Sequence, residues 1–172
     1  MVKDCQVFEI KKFNDERGFF SELYNQNTQN LNVKQINYSF SNKGTLRGIH
    51  CAPFWKLVTC VKGKILDVCV DLREDSTTYL SHVAVELSAE NMKSIFIPEN
   101  CGHAFLALED SKVIYSQGDV YNPNKEKNFP YNDPSFNIKW PHMDKYLISK
   151  KDLNSSQIVS DQHIFHRFCD IV

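Results

Sequence analysis

The feature that most constrains this chain is a succession of short runs in which apolar and polar residues alternate, each closed by turn-forming residues. CQVFEIKKF, VKQINYSFS, KLVTCVKG, KILDVCVDL, LSHVAVELS, KSIFIPE, AFLAL and KVIYSQGDVY all carry the two-residue period of a strand. Breaks fall at Asp15-Glu16-Arg17-Gly18, Ser41-Asn42-Lys43-Gly44, Lys62-Gly63-Lys64 and Glu99-Asn100-Cys101-Gly102. Helical periodicity is scarce. Many short strands at close spacing predict an antiparallel sandwich or barrel. With 172 residues, no internal repeat and no low-complexity linker, the chain reads as one domain over residues 1–155. Residues 156–172, polar and then mildly apolar, read as an appendage outside the core.

Composition narrows the partners. Formal net charge is −1, which gives no electrostatic footprint for nucleic acid or a membrane surface. No run approaches membrane-spanning length, and MVKDCQVFEIKK has no apolar segment of a secretory signal. The six cysteines (Cys5, Cys51, Cys60, Cys69, Cys101, Cys169) form no C-x-x-C pair and lie mostly in or beside apolar runs. They read as reduced, mostly buried thiols of a cytoplasmic protein rather than a disulfide framework.

The chemistry-bearing stretch is LRGIHCAPFWKLV, residues 46–58, with Arg47, His50 and Lys56 around one aromatic loop. It admits a metal site, acid–base chemistry, or a histidine that merely packs. In KILDVCVDL, Leu66, Val68, Val70 and Leu72 share one face and Ile65, Asp67, Cys69 and Asp71 the other. Either the aliphatic face is the packed side and Asp67 is solvated, or Asp67 lines a wet lumen and the aliphatic face packs on a second sheet. Residues Val113, Tyr115 and Gln117 also share a face. By itself Tyr115 reads as a packing residue.

The metal reading is weak on donor count. A cupin-type site takes two histidines one residue apart, a following carboxylate, and a further histidine on a later strand. Here His50 is followed by Cys51 and Ala52, and the downstream position holds the cation Lys56. IPENCGHAFLAL supplies only His103. Two imidazoles near a lysine make a poor donor set for zinc or iron, so no metal is expected. His82, His142, His163 and His166 have polar surroundings and are expected to be exposed.

Taken together, FNDERGFFSELYN, KQINYSFSNKGTLRGIH, KLVTCVKGKILDVCVDLREDSTTY, VELSAENMKSIFIPENCGHAFLAL, VIYSQGDVYNPNKE and YNDPSFNIKWP resemble, in order and spacing, the dTDP-4-dehydrorhamnose 3,5-epimerase family. The likeness covers roughly residues 6–152. It implies a mainly β, cupin-type jelly roll with short helical segments, a nucleotide-diphosphate sugar as substrate, no cofactor, and a homodimer. By that resemblance His50 is the catalytic base, Asp152 the carboxylate that orients it, and Tyr115 the general acid on the opposite face of the sugar. Lys56 is the cation beside the developing enolate. Arg47, Asp67 and His103 match further lumen residues, and Gln35 and Asn37 further ligand contacts. Arg17, Phe20 and Glu22 match the segment that holds the nucleotide from the partner subunit. The chain departs from the family in a shorter loop between His50 and Lys56, in Cys51-Ala52 after the histidine, and in Val120-Tyr121 for the usual pair of tyrosines.

The implied chemistry suits these side chains. In a 4-keto-6-deoxy hexose, C3 and C5 flank a ketone, so loss of either proton gives an enolate. Inversion requires a base on one face and an acid on the other, and needs no redox cofactor. Imidazole titrates near working pH, and a carboxylate on its second nitrogen fixes the tautomer. A phenol has a pKa of about 10, comparable to an enol. The same residues would serve an enzyme inverting C3 alone, or a ketoisomerase. A metal-dependent cupin enzyme and a non-catalytic sugar-nucleotide binding module are the remaining alternatives.

Overall fold

A computed structural model describes residues 1–155. The segment expected to be an appendage, with Cys169, His163 and His166, lies outside the described residues. Thirteen strands and two one-turn helices follow one another in this order: β1 (Gln6–Glu9), β2 (Phe13–Asp15), β3 (Gly18–Phe20), α1 (Gln26–Gln29), β4 (Gln35–Ser41), β5 (Thr45–Cys51), β6 (Lys56–Lys62), β7 (Lys64–Asp71), β8 (His82–Ser88), β9 (Lys93–Ile97), β10 (Cys101–Ala107), β11 (Ser111–Gln117), β12 (Lys127–Asn128), β13 (Leu147–Ile148) and α2 (Lys150–Leu153). The alternating runs all become strands, though CQVFEIKKF contributes only its centre to β1. LRGIH, not among the alternating runs above, is the centre of strand β5. The break at Asp15–Gly18 is the turn of the small hairpin β2–β3.

One sheet has the order β1-β9-β6-β11-β4. The other has β12-β5-β10-β7-β8, with β13 added parallel to β5. This is the mainly β jelly-roll architecture expected. Between the sheets lie Val58, Cys60, Ile95, Ile97 and Val113 from one side and Ile65, Cys69, Leu87, Cys101 and Phe105 from the other. Burying each such side chain is worth about 1.5–3 kcal/mol, so this layer dominates the fold's stability. Cys5, Cys51, Cys60, Cys69 and Cys101 are free thiols, and all but half-buried Cys5 are buried. His142 is exposed as expected, whereas His82 is half-buried at the start of β8.

The strand β7 settles the two readings left open. Asp67 points between the sheets and is fully buried. The aliphatic face packs with Ile49, Cys51 and Ala104 under Phe129, Phe136, Ile138 and Trp140. Its cover is therefore the irregular segment after β12, not a second sheet.

Strand β4 is built the other way round. Its apolar residues Ile36, Tyr38 and Phe40 are 65%, 59% and 48% exposed. The alternation then turns Gln35, Asn37, Ser39 and Ser41 toward the interior. A polar inner face here opens a wet cavity at this end of the sandwich.

Candidate active site

The cavity holds about 310 Å³ and is bordered by residues of both sheets. From β5 and β10 come Arg47, His50, His103 and Phe105; from β4, β6 and β11 come Gln35, Asn37, Ser39, Lys56, Tyr115 and Gln117.

Arg47 and His50 are three residues apart, so a regular strand would turn them to opposite faces. Both border the cavity because β5 carries a bulge. His50 faces His103 and Arg47 faces Phe105, so Gly48 and Ile49 stand against Ala104 alone. Gly48 has φ +116°, and a Cβ there would come within 2.6 Å of the Ala104 Cβ. Only glycine fits this close approach. The bulge buries Ile49 outward and restores His50 to the cavity side.

Each cavity histidine is held by a carboxylate. The His50 Nε2 lies 2.7 Å from Asp152 Oδ1, and His103 Nε2 lies 2.9 Å from Asp67 Oδ2. Asp152 sits in the single turn of α2, where the Ser149 hydroxyl accepts from its backbone N–H at 3.1 Å, an N-cap that fixes the turn. Its Oδ2 accepts from Gly48 N–H at 3.4 Å. Burial pushes the Asp152 carboxyl up, but the hydrogen bond and charge of His50 and the Gly48 N–H bring it below the ordinary carboxylate value. Asp67 does not border the cavity. It lies behind His103, and its Oδ1 has no partner among the described residues.

Lys56 is buried, with Nζ 3.5 Å from the His50 carbonyl oxygen. Burial lowers its pKa, opposed by the nearby negative charge of Glu126. The Tyr115 phenol is pushed up by burial, and the Arg47 guanidinium works against that shift. Arg47 is anchored by donating to Ser41 Oγ at 3.1 Å and to the Phe40 carbonyl at 3.2 Å. A polar ladder lines the mouth: Tyr121 N–H donates to Gln35, Gln35 to Asn37, and Asn37 to Gln117, over 2.7–3.0 Å.

Of the expected site residues, His50, Tyr115, Lys56, Arg47, His103, Gln35 and Asn37 border one cavity, with Asp152 and Asp67 supporting its two histidines. Arg17, Phe20 and Glu22 do not reach it. They are exposed on and just after the β2–β3 hairpin, and Arg17 is paired with Asp15 at 2.6 Å. Sequence reasoning missed Ser39, Phe54, Gln117, Tyr121, Glu126 and Lys151. Ser39 and Gln117 follow from alternation with Asn37 and Tyr115. Glu126 and Lys151, joined at 2.6 Å, lie in irregular or one-turn segments whose periodicity carries no signal. Among the described residues no group of three or more His, Cys, Asp or Glu converges on one point. No described helix is long and apolar enough to cross a membrane.

The family model described as dTDP-4-dehydrorhamnose 3,5-epimerase matches residues 1–159. A relative of that name from Shigella flexneri is 40% identical over 169 residues, covering 92% of this chain and 93% of its own. The RmlC epimerase structure from Mycobacterium tuberculosis superposes with a TM-score of 0.88 at 33% identity, over 91% of this chain and 84% of its own. A dTDP-6-deoxy-D-glucose-3,5-epimerase from Legionella pneumophila, solved with dTDP-4-keto-L-rhamnose, superposes with a TM-score of 0.87 at 32% identity, over 95% and 93%. By sequence and by fold, the chain belongs to the dTDP-4-dehydrorhamnose 3,5-epimerase family.

Proposed function

We propose that this chain epimerises a nucleoside-diphosphate-linked 4-keto-6-deoxy hexose at C3, C5 or both, by proton removal and return through an enolate. One observation carries the reading. His50, on β5, and Tyr115, on β11, stand on facing sheets across one cavity that Lys56 also borders. With Nε2 engaged by Asp152, His50 Nδ1 is the nitrogen that takes the substrate proton. Lys56 faces the C4 oxygen as negative charge grows there, and Tyr115 returns a proton from the opposite wall. The oxygen-rich ladder of Gln35, Asn37 and Gln117 suits sugar hydroxyls, and Arg47 and Lys151 suit a diphosphate.

The working unit in this reading is a homodimer in which the partner's β2–β3 hairpin completes each nucleotide site. The exposed Ile36, Tyr38 and Phe40 on β4, and Phe19 and Phe20 on the hairpin, give it an apolar surface to bury. Free thiols are in keeping with a cytoplasmic setting.

The test is incubation with dTDP-, UDP- and GDP-linked 4-keto-6-deoxy sugars in deuterated water, with C3 and C5 followed by NMR. Deuterium at both carbons is expected of a 3,5-epimerase, and at C3 alone of a C3-epimerase. No incorporation from any of them would sink the proposal.

A further inference from the structure

The loop between His50 and Lys56, shorter than the family resemblance leads one to expect, is tied down at both ends. Strand β5 ends at Cys51 and β6 begins at Lys56, leaving residues 52–55 to turn the chain. The Ala52 carbonyl accepts from Asn100 N–H at 2.9 Å, and the Trp55 carbonyl from Gly118 N–H at 3.1 Å. The Trp55 indole stacks on Phe96, with centroids 6.0 Å apart and planes at 29°. It also fills the space where a side chain on Gly118 would stand. Cys51 turns away from the cavity into the outer apolar cluster. With the loop pinned on both sides, Ala52 and Pro53 face away from the cavity and Phe54 goes into it, where it is 7% exposed.

That ring is chemically out of keeping with its surroundings. The cavity wall is otherwise Gln, Asn, Ser, Arg, Lys, His, Glu and two tyrosines, apart from Phe105, which belongs to the interior core. Phe54 also stands four residues after His50 and two before Lys56 in sequence, and all three border the one cavity. A 4-keto-6-deoxy hexose has one apolar substituent on its ring, the C6 methyl, and C5, which bears it, adjoins the ketone. The nucleobase is separated from that end by the length of a ribose and a diphosphate.

Resting on the function proposed above, we propose that Phe54 is a specificity-determining wall that receives the C6 methyl and disfavours 4-keto hexoses keeping a C6 hydroxyl. A hydroxymethyl group placed there would present its O–H to a phenyl ring and lose its hydrogen bonds to water. Discrimination against an added hydroxyl by an apolar wall is on the order of 100-fold.

The test compares 4-keto-6-deoxyglucose and 4-ketoglucose on the same nucleoside diphosphate, by kcat/KM for deuterium incorporation. Because each preparation is measured on both sugars, their ratio is independent of the fraction correctly folded. In the unaltered protein the 6-deoxy sugar is expected to be favoured roughly 10- to 100-fold. Phe54→Ala should cut that ratio about tenfold or more, chiefly through a raised KM for the 6-deoxy sugar, and Phe54→Leu should keep most of it. A ratio within about twofold of the unaltered protein in Phe54→Ala would overturn the inference while leaving the epimerase reading intact. Exchange of neither sugar by the unaltered protein would remove the epimerase reading itself.

Discussion

His50 and Asp152 are 102 residues apart in sequence and 2.7 Å apart in space. The contact joins the bulged centre of β5 to the single turn of α2, and the same carboxylate accepts from the Gly48 N–H inside the bulge. The two interactions set imidazole orientation and strand geometry together. With its pKa held below the ordinary value, Asp152 is ionised throughout neutral pH. In the proposed reaction it then keeps the proton on Nε2 and leaves Nδ1 as the base.

Asp152→Asn should therefore retain the fold and lower kcat by about 10²- to 10⁴-fold, the range over which a misdirected imidazole tautomer acts. The measurement is kcat and KM beside thermal unfolding. A kcat within about tenfold of the unaltered protein, with unfolding unchanged, would show that the carboxylate does not direct the base.

Tyr115→Phe separates exchange from inversion. Without the phenol, His50 can still remove a proton and return deuterium to the same face, so label enters while configuration is retained. Inversion is expected to fall about 100-fold or more, and incorporation much less. The raised pKa also has a signature in stability. Below pH 10 the phenol is neutral folded and unfolded; above it the unfolded chain ionises first, so stability declines as pH rises. Tyr115→Phe should flatten that decline, as read by denaturant midpoints from pH 9 upward.

Lys56 gives the opposite sign. Burial lowers its pKa, so between the folded value and 10.5 the unfolded chain binds more protons, and stability rises with pH. Lys56→Met lacks this rise. Relative to the unaltered protein, it should be most favoured at neutral pH and lose that advantage toward pH 10.5. Its activity should fall about 100-fold or more, equivalent to roughly 3 kcal/mol of enolate stabilisation. Thermal midpoints across pH 7–10 that stay parallel for the two proteins would show that Lys56 carries no burial cost.

The strands were legible because alternation survives in them; β5 was not. Arg47, Gly48 and His50 break its period, and the reason is the bulge that turns the Arg47 and His50 side chains to the same side. The feature that hid the strand is the one that builds the site. Asp67 could not be assigned from β7 alone, because its placement depends on what covers the aliphatic face, and that cover is the aromatic segment 129–140 some sixty residues on. Glu126 and Lys151 were invisible for a related reason: ends of loops are placed by the tertiary structure they close. Asp152 became legible only through resemblance, since nothing local marks a carboxylate in a one-turn helix as the partner of His50.

The exposed hairpin allows the proposed dimer to be tested through activity. Arg17 and Phe20 do not reach the cavity of their own chain. If the hairpin serves the partner's site, Arg17→Ala and His50→Ala disable different components of each site. In a mixed dimer, one site then has both defects and the other has neither. Random reassortment makes about half the dimers mixed, each with one sound site of two, so an equimolar mixture should recover about a quarter of full activity. Recovery should fail for Arg17→Ala mixed with a chain carrying both substitutions, because no site then escapes a defect. If Arg17 serves its own chain instead, every site in the first mixture keeps one defect. The mixture should then show only the average of its two components, even when sedimentation shows that the dimers have exchanged.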